Sequence, residues 1–201
     1  MDLESSVSRE TFERLRTFEQ MVRKWTARIN LVSKDSLDDL WSRHILDSIQ
    51  LYECAPAHFA HWVDMGAGGG FPGVVIAILA NDAPDSPKVT LVESDARKCA
   101  FLRAALRETA SRADVINGRI EDTEPLHADV VSARALADLT KLLGYVERHM
   151  LKDGVAILAK GTRWCDEITS AKSKWNFDVD AVKSELVAEA AVLKVTGVSR
   201  V

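Results

Sequence analysis

Apolar side chains in the first 56 residues recur at steps of three and four. One set is Phe12, Leu15, Phe18, Val22, Trp25 and Ile29, and the next is Leu37, Trp41, Ile45, Ile49 and Tyr52. This period is typical of amphipathic helices, so we predict two of them, one capped by Ser8 and one that follows Ser36 and ends before Pro56. Because their apolar stripes need a partner, we expect residues 1–56 to form a helical extension that packs on the rest of the chain.

From residue 57 onward, short apolar runs alternate with helical patterns. The runs that predict strands are 61–64, 88–93, 114–117, 128–132 and 154–159. The helices predicted between them occupy 72–81, 95–111 and 138–151. Such alternation requires crossover connections and parallel pairing. The two adjacent β-like segments 176–182 and 190–198 favour an antiparallel pair of strands added to this sheet, whose position in the sheet the sequence leaves open. We predict one α/β domain over residues 1–201, with a mostly parallel sheet in a core at 57–201.

Composition excludes several classes of protein. No apolar run approaches the ~18 residues of a membrane span, and the N-terminus lacks the pattern of a signal peptide. Cys54, Cys99 and Cys165 form no CxxC pair, which argues against a zinc site or a disulfide framework. We therefore expect a cytoplasmic monomer without a metal site or membrane contact. Its net charge of −4 does not favour polyanion binding by the protein as a whole.

A glycine-rich turn follows the first predicted strand. It spans residues 64–73 with the sequence DMGAGGGFPG, and Pro72 suits the first position of the next helix. Glycines let the backbone approach a ligand closely, and free N–H groups at a helix start can bind an anionic group. Glu93 ends the second strand, where an acidic residue characteristically binds both ribose hydroxyls of an adenosine ligand. The combination predicts a nucleoside-containing cofactor at the carboxyl edge of the sheet.

Two cofactors compete for this turn. Gly68 to Gly73 satisfies the G-x-G-x-x-G spacing of NAD-binding proteins. In that fingerprint, however, the first glycine follows the strand almost at once, which here is Gly66, and Phe71 then occupies the third glycine position. S-adenosylmethionine, which has a carboxylate and no phosphates, fits better. An NAD-dependent oxidoreductase and a non-catalytic RNA-binding module with this fold remain the alternatives.

A longer series of motifs points to one family. The motifs are Asn30-Leu31, Arg43-His44-Ile-Leu-Asp47-Ser48, the turn at 64–73, Glu93-Ser94, Arg97-Lys98, Phe101-Leu-Arg103, Gly118-Arg-Ile-Glu121, Ser132-Ala-Arg134-Ala135 and Lys160-Gly161. In this order the chain resembles the RsmG (GidB) family of small-subunit ribosomal RNA guanine-N7 methyltransferases. Its tail after Leu193 departs from the family's longer final segment. The resemblance implies a Rossmann-like class I S-adenosylmethionine-dependent methyltransferase fold, with N7-methylguanosine in a loop of 16S ribosomal RNA as the product.

The resemblance also implies roles for individual residues. The cofactor would be bound by Gly66, Gly68, Phe71, Glu93, Ile120, Glu121 and Arg134. Within this set, Glu93 would hold the ribose, Ile120 and Glu121 would border the adenine, and Arg134 would lie near the incoming base. The partner would be 16S ribosomal RNA, either free or in small-subunit particles.

The segment after the fourth strand agrees with methylation of a ring nitrogen. Residues 132–135 lack the Asp/Asn-Pro-Pro-aromatic stretch that exocyclic amine methylation commonly uses, and no cysteine nucleophile follows closely. Guanine N7 needs neither device because its lone pair lies in the ring plane, so alignment would dominate catalysis. We assign the catalytic role to Arg134, since arginine can bind the O6/N7 edge of guanine.

Basic residues near the carboxyl edge are candidates for RNA contacts. They are Lys160 and Arg163 first, then Arg43, Arg97, Lys98 and Arg119, with His44 beside them. A plain surface charge is an equal alternative for each, and the cluster at 97–119 also fits a solvated helix face. His44 and Asp47 would either grip the substrate or tie the N-terminal helices to the core, with Arg43 pairing with Asp47 at i,i+4.

Overall fold

A computed structural model describes residues 7–83, 85–184 and 187–201. The helices α1 to α6 span Arg9–Thr26, Asp47–Glu53, Gly73–Ala80, Ala96–Glu108, Leu139–His149 and Trp164–Ala171. The strands β1 to β7 span His61–Met65, Lys88–Glu93, Asp114–Asn117, Ala128–Arg134, Met150–Lys160, Trp175–Lys183 and Ala191–Arg200. Lys34–Ser36 and Ile120–Asp122 form 3₁₀ turns, and Trp41–Leu46 forms a π-helix.

The strands of the described residues form one sheet in the order β3-β2-β1-β4-β5-β7-β6. The first five are parallel, as predicted, and β7 is antiparallel to both β5 and β6, which confirms the antiparallel C-terminal pair. Strand order reverses between β1 and β4, where Asp64 lies opposite Leu91 on one side and Ser132 on the other. Ligands of open α/β sheets lie beyond the carboxyl ends of the strands at such a reversal. The loops after β1, β2 and β4 therefore surround the candidate site.

The sheet has an apolar cluster against each face. One cluster joins Phe18 of α1 and Phe101 of α4 with Trp62 of β1, and the other joins Leu139 of α5 with Val63 of β1. Adjacent β1 residues enter different clusters because successive strand side chains point to opposite faces. The apolar stripe of the N-terminal helix thus packs on the α/β core, as its period predicts.

The second predicted helix differs from the structure. The sequence predicts a continuous helix after Ser36, whereas the chain forms a 3₁₀ turn, then a π-helix at Trp41–Leu46, then α2. Over a single turn, apolar steps of three and four do not distinguish hydrogen bonding to i−4 from hydrogen bonding to i−5. The predicted end is confirmed, because α2 stops at Glu53, before Pro56.

The helix predicted to reach Leu151 ends earlier, at His149. Strand β5 begins at Met150, which pairs with Ala128 of β4. The buried His149 side chain places its Nε2 atom 2.9 Å from the carbonyl oxygen of Ile120. The helix therefore ends where pairing with a distant strand begins. The local period of apolar residues does not predict such a long-range contact.

Candidate active site

The loop between β1 and α3 brings backbone atoms to the carboxyl edge of the sheet. Gly66 and Gly68 have φ of +72° and +55°, a region that glycine adopts readily. The amides of Gly66 and Ala67 donate to the carbonyl oxygen of Val92 at 2.9 and 3.0 Å, which ties the loop to the end of β2. A Cβ atom at Gly66 would lie 2.7 Å from Cδ1 of Leu136. Glycine at this position therefore lets the loop pass beside the segment after β4.

Asp64 holds the far end of the same loop. Its Oδ2 atom accepts the amide of Gly73 at 3.0 Å, and its Oδ1 atom accepts the hydroxyl of Ser132 at 2.7 Å. The Ser132 hydroxyl in turn accepts the indole N–H of Trp62 at 2.9 Å. Burial raises the pKa of Asp64 to about 6, against the effect of these donors. Asp64 belongs to the glycine motif, whose sequence predicts no role for it, and this network shows that it supports the loop.

The start of α3 differs from the prediction. Pro72 precedes the helix, which begins at Gly73. The sequence predicts free N–H groups here for an anionic ligand, but the amide of Gly73 donates to Asp64 and that of Val74 donates to the carbonyl of Gly70 at 2.9 Å. Because two donors of the first turn are satisfied within the protein, this end of the loop favours a cofactor without a pyrophosphate.

Glu93 lies at the end of β2, as predicted, with its carboxylate at the loop. Its Oε2 atom accepts the amide of Gly68 at 2.8 Å, and its Oε1 atom accepts that of Asp95 at 2.7 Å. A carboxylate has about four lone-pair sites, so these bonds fix its orientation and leave sites for further donors. The side chain is thus a preformed acceptor for vicinal hydroxyl groups.

The first cleft, of about 440 Å³, opens beyond β1 and β2. Its lining includes every residue predicted to bind the cofactor: Gly66, Gly68, Phe71, Glu93, Ile120, Glu121 and Arg134. Lys141 and Tyr145 of α5 also line it and were missed by the sequence analysis. Their i,i+4 spacing on the helix after β4 was an available signal. A Cβ atom at Gly68 would meet only the carbonyl of Gly66, at 3.7 Å, so glycine leaves room here for a ligand.

The residues of the first cleft fit S-adenosylmethionine. Glu93 supplies the acceptor that a ribose diol requires, and the buried Ile120 supplies apolar surface for an adenine ring. Phe71 fills the third glycine position, at which a dinucleotide fold needs a glycine for close packing of helix and strand. A nucleoside with a short polar tail therefore suits this donor set better than a dinucleotide does.

A second cleft, of about 600 Å³, adjoins the first. The two clefts share Arg134, Ala135 and Leu136, the segment at the end of β4. Arg43 and Arg163, both exposed and both predicted to contact RNA, line the second cleft. Lys160 lines it too, but its Nζ atom donates to Glu167 at 2.6 Å and to the carbonyl of Ala137 at 2.9 Å.

Arg134 lies at the boundary between the clefts. Its Nη1 atom is 3.3 Å from Asp47 Oδ2 and 3.3 Å from the carbonyl oxygen of Arg43. The predicted pairing of Arg43 with Asp47 is therefore wrong, since the carboxylate partner of Arg43 is Asp39, at 3.8 Å. Sequence spacing gave Asp47 a local partner, whereas the fold gives it one 87 residues away. Burial lowers the pKa of Arg134, and the Asp47 carboxylate opposes that shift.

His44 stacks on the ring of Phe71, with centroids 5.0 Å apart and planes at 27°. Both imidazole nitrogens are buried and have no hydrogen-bond partner among the described residues. Burial, followed by the charges of Arg134 and Arg43, lowers the pKa of His44 to about 4. His44 is therefore neutral at neutral pH and packs behind the wall of the first cleft.

The remaining candidates for RNA contact fall into two groups. Lys98 and Arg119 line the first cleft. Arg97 lines neither cleft among the described residues, and its guanidinium pairs with Asp95 at 3.0 Å. The fold thus brings most of the predicted cations to the two clefts but leaves Arg97 at the side.

A family model described as rRNA small subunit methyltransferase G, GidB, matches residues 11–192. The chain belongs to this family. The enzyme of that name from Ruegeria pomeroyi is 54% identical over 98% of this chain and 96% of its own length. The one from Paramagnetospirillum magneticum is 47% identical over 98% and 93%. The predicted resemblance to the RsmG (GidB) family is therefore confirmed, and with it the assignment as a small-subunit rRNA methyltransferase.

Solved structures similar to this family member share its fold. A TehB-like SAM-dependent methyltransferase from Corynebacterium glutamicum has a TM-score of 0.57 at 18% identity, covering 90% of this chain and 96% of its own. M. jannaschii TYW2, in complex with AdoMet, has a TM-score of 0.57 at 15% identity, covering 88% of this chain and 80% of its own. These likenesses confirm the predicted Rossmann-like methyltransferase fold, and family and fold together confirm S-adenosylmethionine as the predicted cofactor.

Neither a membrane-spanning helix nor a metal cluster occurs in the part of the chain that the structure describes. No helix there is both long and apolar enough to cross a bilayer. No group of three or more His, Cys, Asp or Glu side chains there could hold a metal ion.

Proposed function

We propose that the protein transfers a methyl group from S-adenosylmethionine in the first cleft to N7 of a 16S rRNA guanosine in the second cleft. The observation that carries this proposal is that the segment Arg134, Ala135 and Leu136 lines both clefts. The proposed donor and acceptor sites therefore adjoin at this short segment. Such a reaction depends mainly on proximity and alignment.

In the first cleft, Glu93 accepts hydrogen bonds from the two ribose hydroxyls. Its Oε2 atom has a lone pair beyond the one bonded to Gly68, and Oε1 has, besides the amide of Asp95, only the Ser94 hydroxyl at 3.5 Å as a further donor. Ile120 and Glu121 border the adenine, while Gly66, Gly68 and Phe71 line the methionine side. When bound, S-adenosylmethionine supplies an electrophilic methyl group on a sulfonium.

In the second cleft, Arg134 donates a hydrogen bond to O6 of guanine and leaves N7 facing the first cleft. Arginine can bind O6 and N7 together, which suits capture of the base, but the N7 lone pair must be free during transfer. That lone pair forms the new N–C bond, and the electron pair of the breaking C–S bond goes to sulfur. Because no proton leaves, the reaction needs no general base.

RNA phosphates contact cations at the rims of the clefts. The best placed are Arg43 and Arg163 at the second cleft and Lys98 and Arg119 at the first. Weaker candidates are Lys160, Arg97 and His44. The two cations have carboxylate partners at 2.6 and 3.0 Å, closer than the 3.8 and 3.9 Å of Arg43 and Arg119, and the histidine nitrogens are buried. Each phosphate contact contributes an attraction that salt screens.

We also propose the domain organisation, the oligomeric state, the location and the form of the substrate. Residues 1–201 act as one domain and as a monomer in the cytoplasm. The substrate is 16S rRNA, either free or in small-subunit particles. Comparing the two forms of substrate in one assay tests this point directly.

The test is incubation with methyl-labelled S-adenosylmethionine and small-subunit RNA, free and in particles, followed by digestion to nucleosides. We expect label in N7-methylguanosine. Arg134→Ala should lower kcat about a hundredfold while the Kd of S-adenosylhomocysteine stays within about threefold. Arg112→Ala, an exposed cation before β3 at the opposite edge of the sheet, should match the parent. Parent turnover in Arg134→Ala, or label in another nucleoside, would contradict the proposal.

A melting experiment separates the alternatives. A ligand that binds the native state alone raises the melting temperature. We expect a rise with S-adenosylhomocysteine and none with NADH. The reverse result would favour an oxidoreductase, and a rise with S-adenosylhomocysteine but no methyl transfer to RNA would favour a binding module.

A further inference from the structure

Arg134 is held by the segment around the start of α2. Its Nη1 atom donates to Asp47 Oδ2 and to the carbonyl of Arg43, at 3.3 Å each. The exposed fractions of the Arg134 and Asp47 side chains are 19% and 14%, so the pair is largely withdrawn from water. The π-helix ends at Leu46, directly before Asp47, and π-helical turns frequently occur at functional sites.

The backbone on the other side of Arg134 is also constrained. Ala135 has φ of +50°, a left-handed conformation that is uncommon for a residue with a Cβ atom. Such conformations persist where the surrounding structure imposes them, and they cluster at active sites. The Arg134 side chain is therefore fixed from two directions, by a sharp turn of its own strand end and by the Asp47 carboxylate.

Charge balance gives that carboxylate a further role. In the proposed transfer, positive charge leaves sulfur and appears on the imidazole ring of guanine. Guanine bound to Arg134 gains this charge beside an existing cation, with Arg43 nearby, and the repulsion is larger in a partly buried site than in water. His44 adds no cation, since its pKa is lowered to about 4. A carboxylate at Asp47 offsets the guanidinium charge and leaves its other N–H groups free to donate.

We propose that Asp47 is a positioning residue for Arg134, which holds the guanidinium at the boundary of the clefts and offsets its charge as N7 becomes cationic. This inference rests on the proposed function, because it requires guanine as the acceptor and Arg134 as its ligand. Burial raises the pKa of Asp47, and the charge of Arg134 opposes that rise. The two side chains thus depend on each other electrostatically.

The first test is Asp47→Asn, which keeps the side-chain shape and removes the charge. We expect kcat for N7-methylguanosine formation to fall about 30-fold. The KM for RNA should stay the same or fall, because a negative charge has left a cationic cleft, and the Kd of S-adenosylhomocysteine should stay within about twofold. The matched control is Asp39→Asn, an exposed carboxylate 3.8 Å from Arg43 in the same segment, and it should match the parent. Parent kcat in Asp47→Asn overturns the inference.

A second pair of variants separates positioning from a merely structural role. In the background of Arg134→Gln, the change Asp47→Asn should lower kcat by less than about threefold, because the two residues act as one unit. A structural role predicts instead that the two losses multiply, together with a weaker affinity for S-adenosylhomocysteine. If Asp47→Asn unfolds at the assay temperature, Asp47→Glu keeps the charge and should retain kcat within about fivefold. A folded Asp47→Glu as impaired as Arg134→Gln would overturn the charge role.

The outcomes also separate this inference from the function beneath it. If Arg134→Gln keeps parent activity, or if the parent forms no N7-methylguanosine, the proposed function fails. If Arg134→Gln is impaired while Asp47→Asn is not, the function stands and the role of Asp47 alone is wrong.

Discussion

The two clefts differ in the groups that form them. The loop of the first cleft is mainly backbone, with left-handed glycines tied to β2 and one carboxylate, Glu93, clamped by two amides. The second cleft is lined by long charged side chains, of which Lys160 pairs with Glu167 at 2.6 Å, Arg134 with Asp47 at 3.3 Å and Arg43 with Asp39 at 3.8 Å. A small cofactor suits a fixed backbone, whereas an RNA loop suits exposed cations such as Arg43 and Arg163. Substitutions should therefore separate by cleft, with effects on cofactor affinity in the first and on RNA affinity in the second.

The largest separable effect is expected in the first cleft. Glu93→Gln keeps the size of the side chain but turns an amide NH₂ towards a backbone N–H, which disturbs the contact with Gly68 or with Asp95. We expect the affinity for S-adenosylhomocysteine to fall about a hundredfold, since hydrogen bonds to a charged acceptor are lost. Calorimetric titration measures this, with Glu108→Gln on the exposed face of α4 as the control. The affinity for RNA should not change. An equal loss of affinity for RNA would contradict the assignment of cofactor and RNA to separate clefts.

A smaller effect is expected in the second cleft. Arg163→Ala removes an exposed cation, so RNA affinity should fall about fivefold and the slope of log K against log salt should decrease by about one. Filter binding over a salt series measures both quantities. The control is Arg112→Ala, at the opposite edge of the sheet, which should leave the slope unchanged. A change in cofactor affinity without a change in slope would assign Arg163 to the first cleft instead.

The smallest effect concerns the wall behind the first cleft. Because the pKa of His44 is lowered to about 4, the unfolded chain binds a proton there from about pH 6.5 down to about pH 4 while the folded chain does not, so stability falls as pH falls in this window. His44→Phe keeps a ring on Phe71 and removes the titration. Between about pH 7.5 and about pH 5.5, its melting temperature should fall by about 2 °C less than that of the parent.

The control for this pH series is His58→Ala, since His58 is exposed and its side chain lies against Asp85. Asp64, with its pKa raised to about 6, acts in the opposite sense, but it does so equally in every variant. Equal losses of melting temperature in the parent and in His44→Phe would contradict the pKa assigned to His44.

An element of the fold could be predicted from the sequence when the residues that determine it are neighbours along the chain. The parallel strands and α1 were predicted because period and capping are written in adjacent residues, such as Ser8 before α1. The π-helix was missed because its distinguishing feature is a hydrogen-bond step, not a side-chain period. The end of α5 was misplaced because a strand far away in the sequence, β4, determines where β5 begins.

The site was predictable to a similar extent. The glycines and Glu93 were found because a strand followed by a glycine turn restricts what the backbone can bind. Lys160 was placed at the correct edge of the sheet, but nothing in the local spacing predicts that Glu167 occupies its Nζ atom. The predicted partner of Asp47 was wrong for the same reason. Its observed partner, Arg134, is 87 residues away in the sequence, and local spacing does not predict a contact at that separation.

The ring of Phe71 has a consequence for how such sequences diverge. Its centroid lies 5.0 Å from that of Phe18, 5.0 Å from that of His44 and 5.4 Å from Cζ of Arg134. Three distant parts of the chain therefore meet on one side chain. A change at any of these positions alters the fit of the others. Across relatives, therefore, the four positions should be inherited as a set, with replacements accepted in combination more often than singly.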